Sequence, residues 1–512
     1  MNFLKNHEWR QALWLCVPAI VLGVALRVLL LSHMPYAFFH DDTRHLLGTG
    51  VKWVEQGRWD ISERRTFLVP LIYAIPLIAK WQLLRSIALG QHALGLLMVM
   101  EVGLICFLWF RYWRIWIVPL TLIFAIHPSL LWYEHLALQE FLYVFGAVTI
   151  ALMSAWFYRF PSWKSFSALF IFIFFTAGAR PEGNLFCFLG LGMAIAIFWK
   201  RWKTLAIYLG VGIILSGIIF KLTPTNQGGK LLLATLMPLL PDQTRLYPEV
   251  AVELKNVRME VRANKPWFIQ DITPIRKKTE TVVNEYLKQN FSKEERPNTD
   301  KVCKRLGVET GLKYWYELPK IAFYKFLASH RDTKIRGEPS ALMAGSFGED
   351  WVYEGQTAIM FKASGEASNS WQYLPWLLGR SYYSAEDLRA DLKKLHRVFQ
   401  SDFLTRFQEI FSKLVLGWHL PSFFYQGAKL PGLPIIYIVG FVGLLGLGLQ
   451  RGSLRKYFWV WFVMLIFLIF AVYLVGNIRA RFRLVFEPFI FISFFAFWDW
   501  VISRIRHSFQ ET

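Results

Sequence analysis

Segments of roughly 20 apolar residues, the length at which a helix crosses the hydrocarbon core of a bilayer, recur along this chain and narrow its folds to very few. They cover 11–31, 87–110, 115–133, 139–157, 166–180, 183–199, 204–220, 432–449, 457–475 and 484–505. A backbone inside lipid finds no water to bond, so such spans are helical. Composition agrees. Of 512 residues 57 are basic and 36 acidic, a formal charge of +21, yet only 18% are charged while 55% are hydrophobic and 17% aromatic. Soluble basic nucleic-acid binders carry about a quarter of their residues as charges, and disordered chains lack so many Phe, Trp and Tyr. A polytopic membrane protein remains, with no nucleic-acid partner expected.

The positive-inside rule orients these spans. With the N-terminus in the cytoplasm, the inside connections are 111–114 (RYWR), 159–164 (RFPSWK), 200–203 (KRWK), 451–456 (RGSLRK) and 504–507 (RIRH), each short and basic. This predicts about ten spans with both termini inside. The first follows a stub containing Lys5 and Arg10 and has no small-residue cleavage site, so it reads as a retained anchor rather than a signal peptide. The stretch 67–84 is apolar but carries Pro70, Pro76 and Lys80, and counting it as a span would invert the loops that follow. It reads as a helix lying at the outer interface.

One charged segment, 221–430, separates an N-terminal membrane module (1–220, with its first outer loop at 32–86) from the last spans (431–512). Helix-like stretches at 311–330 and 385–414, and recurring aromatic residues, predict that it folds outside the cytoplasm and rests partly on the membrane. The fold class is therefore all-α polytopic membrane protein with a mainly helical extracytoplasmic segment. Cys16, Cys106 and Cys187 lie in apolar runs and Cys303 stands alone in a polar one, which supports no disulfide framework and no zinc or redox motif.

Ionisable residues gather at the outer ends of the spans. The first outer loop reads His40-Asp41-Asp42-Thr43-Arg44-His45. The second carries His127-Pro128, Glu134-His135 and Gln139-Glu140. The third reads Arg180-Pro181-Glu182-Gly183-Asn184, and the last holds Arg479, Arg481 and Arg483 ahead of Glu487. Arg27 sits near the outer end of the first span. Each has a plain reading: a solvated turn or helix cap for the aspartates, rim residues for Glu134 and Glu140, lipid headgroup contacts for the arginines, snorkelling for Arg27, rim hydrogen bonding for His127 and His135. Together they say more. Arginines on the outer side run against the positive-inside trend and call for an anionic partner, whose phosphate oxygens a guanidinium fork matches. Carboxylates at the same depth could supply a general base.

The ordered set of Arg27, Asp41-Asp42 with Gly57-Arg58 downstream, HPSLLWYEHLALQE (127–140), RPEGN (180–184) and GNIRARFRLVFEPF (476–489) resembles the GT-C superfamily of membrane glycosyltransferases. It is most similar to bacterial family 39-type enzymes, relatives of protein O-mannosyltransferases and of the lipid A aminoarabinose transferase. The tail departs from the family pattern in having Val485 where a proline is common. The resemblance implies a sugar donor on a polyprenyl phosphate, such as undecaprenyl or dolichyl phosphate, and a hydroxyl acceptor on a protein, lipid or glycan. It implies inverting transfer at the outer face of the plasma (inner) membrane.

On this resemblance Asp41 or Asp42 is the base. Arg481 and Arg483 hold the donor phosphate, with Arg180 and Arg27 as lesser candidates. Glu134, Glu140, His135, Glu182 and His40 hold the acceptor or orient a basic residue. A lipid-phosphate leaving group requires no metal, although Asp42, Glu140 and His40 could bind a divalent ion. Two rival readings stand beside it: a transporter or flippase of a lipid-linked glycan, which would place its ionisable groups near the midplane in repeated halves, and a non-catalytic membrane assembly factor.

Overall fold

The computed structural model describes residues 6–33, 37, 46, 49–50, 53–54, 57–58, 66–81, 83–110, 114–135, 137, 139–223, 228–263, 272–328, 423–425, 428–430, 435–449, 455–475 and 485–510. Helices lie along the apolar runs. They are α1 (Asn6–His33), α2 (Leu68–Ile78), α3 (Leu83–Trp109), α4 (Ile117–Ile126), α5 (Pro128–Glu134), α6 (Gln139–Arg159), α7 (Trp163–Ala179), α8 (Phe186–Phe198) and α9 (Trp202–Leu222). A second group follows: α10 (Gly228–Leu236), α11 (Pro248–Glu253), α12 (Lys255–Ala263), α13 (Ile272–Asn290), α14 (Thr299–Lys313) and α15 (Leu318–Ala328). A short antiparallel ribbon, β1 (Phe423–Tyr425) with β2 (Ala428–Leu430), precedes α16 (Ile435–Leu449), α17 (Arg455–Val475) and α18 (Glu487–Gln510).

Among the described residues, six helices are long and apolar enough to cross a membrane, in α1, α3, α6, α8, α9 and α17, and shorter apolar helices fill the places between them. The protein is a helical membrane-embedded protein. Burial ranks the helices from centre to edge. In the apolar window of α6, 78% is buried against neighbours, but only 22% in α9. Ile207, Ile213, Ile214, Ile218 and Phe220 stand exposed along α9, an apolar surface that suits lipid and not water. Exposed Trp14, Trp163, Trp199 and Trp202 neighbour the basic connections, as interfacial tryptophans do.

Side-chain contacts sort the helix ends into two layers. In one, Arg114 donates to Gln11 at 3.1 Å, and Tyr457 meets the rings of Trp109 and Tyr158. In the other, Arg27 reaches the Ala125 carbonyl, Tyr437 reaches Glu487, and Tyr473 packs on Phe486. One apolar core runs through the whole bundle. A second, built from residues such as Leu233, Leu254, Val283, Cys303 and Leu306, holds α10 to α14 together. Leu236, Ile321 and Leu474 join the two parts through α10, α15 and α17. All four cysteines are buried and unpaired.

Three expectations are corrected. The span at 115–133 is not one helix: it breaks at His127, whose ψ of 113° leaves the helical region. Pro128 is the reason, because a residue before proline is driven toward extended backbone while the proline itself suits the first turn of the next helix. The stretch 67–84 does not form one helix either. It closes at Ile78 in a Schellman turn, with Lys80 N–H donating to Leu77 O, Trp81 N–H donating to Pro76 O, and Lys80 left-handed at φ 56°. The stretch 311–330 is interrupted at Tyr314, where α14 ends, and α15 starts afresh at Leu318 beside Pro319. The stretch 385–414 lies outside the described residues.

Candidate functional site

The layer opposite the basic connections is polar and buried. Arg27 sits one turn after Gly23 on α1 and is 2% exposed. Its Nε and Nη2 donate to the two oxygens of Glu134 at 2.8 and 2.5 Å, and its Nη1 donates to the carbonyls of Gly23 and Ala125, both at 3.1 Å. Four of five guanidinium N–H groups are thus committed to other parts of the protein. Such a commitment is needed, because a buried guanidinium without a partner costs several kcal/mol.

Glu134 closes α5 and collects more than Arg27. His92 Nδ1 lies 2.8 Å from Oε2, the oxygen that also accepts from Arg27 Nε, and His92 Nε2 lies 3.0 Å from His135 Nδ1. Because a carboxylate only accepts, His92 Nδ1 carries the proton; in neutral His92 the Nε2 then accepts from His135 Nδ1. Gln91 beside it donates to the Tyr73 hydroxyl at 3.1 Å, tying α3 to α2. The approach of α5 to α3 depends on Gly95. A Cβ built at that position would overlap the Glu134 carboxylate.

The second group sits between α6 and α7. Glu140 lies in the first turn of α6, where the helix dipole favours a negative charge. Arg180 caps the end of α7 in extended backbone. Its Nε and Nη2 donate to Glu182 at 3.3 and 3.1 Å, and its Nη1 lies 3.8 Å from Glu140. Gly183 lets this turn fold back, since a Cβ there would run into the backbone of Thr176 and Ala177. Arg180, Glu140, Glu182, Tyr143, Val144, Val472 and Val485 line a narrow cleft with room for about one water molecule.

A third group joins the last helix. His127 Nε2 lies 3.5 Å from Glu487, whose other oxygen accepts from Tyr437 at 3.2 Å.

The structure therefore brings Arg27, Glu134 and His135 into one cluster and Arg180, Glu140 and Glu182 into another. Glu134 and His135 are fully buried rather than solvated at a rim. His40, Asp41, Asp42, Arg479, Arg481 and Arg483 lie outside the described residues. Ala37 and Leu46 flank the first set, and Leu474 and Val485 the second, as the nearest residues that are described and buried. Among the described residues no group of three His, Cys, Asp or Glu side chains could hold a metal; of the set Asp42, Glu140 and His40, only Glu140 is described. Gln91, His92, Tyr73, Tyr143 and Tyr437 were not singled out by the sequence reading. For Gln91 and His92 a signal existed, a polar pair in the middle of an apolar run (SIALGQHALGLL). The tyrosines carry none, because Tyr is ordinary near membrane interfaces.

Fold and site together define a helical membrane-embedded protein with a buried polar layer at one end of its bundle. Compared with known proteins, the chain matches no family model and no curated protein.

Proposed function

We propose that this protein is a membrane glycosyltransferase of GT-C type. It would move a sugar from a polyprenyl phosphate to a hydroxyl acceptor, at the extracytoplasmic face and with inversion, both termini being cytoplasmic. One observation carries the reading. Charged residues from α1, α3, α5, α6 and the turn after α7, far apart in sequence, meet in one layer, and Val485 lines a cleft of that layer two residues after Arg483.

The division of labour follows from chemistry. An acceptor hydroxyl is a weak nucleophile at neutral pH, and Asp41 or Asp42 would take its proton as it attacks the anomeric carbon. The bond to the phosphate oxygen breaks, and the polyprenyl phosphate leaves with the negative charge. Arg481 and Arg483 would stabilise that charge. Arg27 has its donors on Glu134 and two carbonyls, so its part is to hold Glu134 in place. His40 would hold the acceptor or orient a basic residue, and a divalent ion is not required. Replacing Asp41 and Asp42 together with Asn should abolish transfer while the protein still folds, and Arg483→Ala should lower the rate by about 100-fold or more. Transfer at the wild-type rate in the double Asn variant would refute the assignment.

One observation favours a second reading, a transporter. Glu101 lies deep in α3, where both its oxygens face the Thr149 hydroxyl at 3.1 and 3.0 Å, and ionisable groups at that depth line pathways in transporters. Movement of a lipid-linked sugar across reconstituted vesicles, with no covalent product and with loss in Glu101→Gln, would support it.

A further inference from the structure

The end of the bundle opposite the polar layer carries two short basic connections. One joins α6 to α7 and holds Arg159 and Lys164; the other joins α8 to α9 and holds Lys200, Arg201 and Lys203. Stacked rings bring them together. Trp163, the first residue of α7, stacks on Tyr208 of α9 at 4.1 Å with the planes 8° apart, and Phe198 at the end of α8 stacks on the same tyrosine at 4.5 Å. Phe157 of α6 and Phe166 of α7 close the cluster around Tyr208 at 5.8 and 5.0 Å. Four helices thus meet at one ring beside both connections. The turns themselves are fixed: Ser162 and Ser165 cap α7, and Arg201 N–H donates to Phe198 O at 2.7 Å.

Charge at this place is one-sided. All five cations are exposed, and among the described residues none of them has an ion-pair partner. Residues 139–223 are all described, and their acids, Glu140 and Glu182, stand in the opposite layer beside Arg180. Cations gathered without acids raise a positive potential that draws an anion from outside. The positive-inside bias accounts for each connection being basic. It does not account for two of them being joined.

The surface next to the cations indicates what carries the anion. Ile207 follows Lys203 by one turn of α9, and Ile214 and Ile218 continue the same face. All three isoleucines are exposed, as are Trp199 and Trp202 beside the charges. A soluble anion has no use for such an apolar strip. A lipid does, with its phosphate on the cations and its chains along the isoleucines.

We propose that the connections 159–164 and 199–203 form one binding surface for the phosphate headgroup of an anionic phospholipid. Arginine and lysine stems cross apolar surface to place their charges at headgroup level, and the guanidinium forks match phosphate oxygens. The assignment rests on the helical membrane-embedded fold and not on glycosyl transfer, so failure of either leaves the other standing.

The experiment is native mass spectrometry of the full chain in a neutral detergent. Phosphatidylglycerol and phosphatidylcholine with the same acyl chains are supplied in equal amounts, and inorganic phosphate serves as a separate probe. Phosphatidylglycerol should bind in preference, and rising salt should weaken it. Lys200→Gln, Arg201→Gln and Lys203→Gln together should lower phosphatidylglycerol binding about tenfold or more and leave phosphatidylcholine binding unchanged. The same loss of charge at Lys277, Lys301 and Lys304, exposed on α13 and α14, should leave the preference intact. If the first triple variant fails to fold, Arg159→Gln with Lys164→Gln gives the same reading from the other connection. Four results overturn the surface: no preference in the wild type, a preference that ignores the substitutions, an equal loss in the two triple variants, or displacement of the lipid by inorganic phosphate at the same concentration, which marks a free-anion site instead.

Discussion

Glu134 shows how closely one side chain can depend on a residue without a side chain. It receives Arg27 and His92 only because position 95 has no Cβ. Gly95→Ala should push the carboxylate away and break a buried ion pair, a loss of roughly 3–5 kcal/mol. Gly90 lies on the same helix with open space around its missing Cβ, so Gly90→Ala should be neutral or stabilise by up to about 1 kcal/mol. Thermal unfolding in detergent compares the two directly; equal effects would show that helix propensity and not the carboxylate decides. Arg27 and Glu134 were both visible in the sequence as charges in costly places. Their pairing was not, because 107 positions separate them and only the packing of α1, α3, α4 and α5 brings them together. Arg180 and Glu182 are the opposite case. Two residues apart in one turn, they could be read from RPEG as neighbours, although which ligand they serve could not.

At the scale of elements, prolines and caps decide where helices stop. Pro128 breaks the third span, so His127 leaves the helix and faces Glu487 on α18. The sequence placed a span there because hydropathy averages over a window and passes through one extended residue. Ser162 and Ser165 form a capping box that starts α7. Lys80 ends α2 in a left-handed conformation that costs an L residue about 1–2 kcal/mol. Lys80→Gly should therefore raise the unfolding midpoint, by roughly 1 kcal/mol of stability, whereas glycine at Ala79, whose φ is −77°, should lower it. A scan of the two variants side by side checks this.

At the scale of the molecule, the helices of the second group are anchored to the bundle through α15. Lys325 is buried there and donates to Thr235 at 3.0 Å. Burial pulls its amine from the ordinary 10.5 down to about 7. Between those values the unfolded chain holds a proton that the folded one has released, so stability should rise as pH goes from about 7 to about 10.5. Below that window both states are protonated and the full cost of the buried charge is present. Lys325→Met should flatten the dependence of the unfolding temperature on pH across that range; an unchanged slope would show that another group sets it. What the sequence determined by itself was the solvent and the segmentation: long apolar runs cannot leave their backbone unpaired in lipid, and basic loops mark one side. It also marked which residues were too costly to be idle, because charge near lipid is expensive wherever the fold puts it. Only the tertiary structure decided which of them meet. Hydropathy fixes each helix to the membrane, but the rotation of a helix about its axis and its choice of neighbours come from packing. That packing set Glu134 against Gly95, His92 against His135, and the Tyr143 hydroxyl into the cleft beside Arg180.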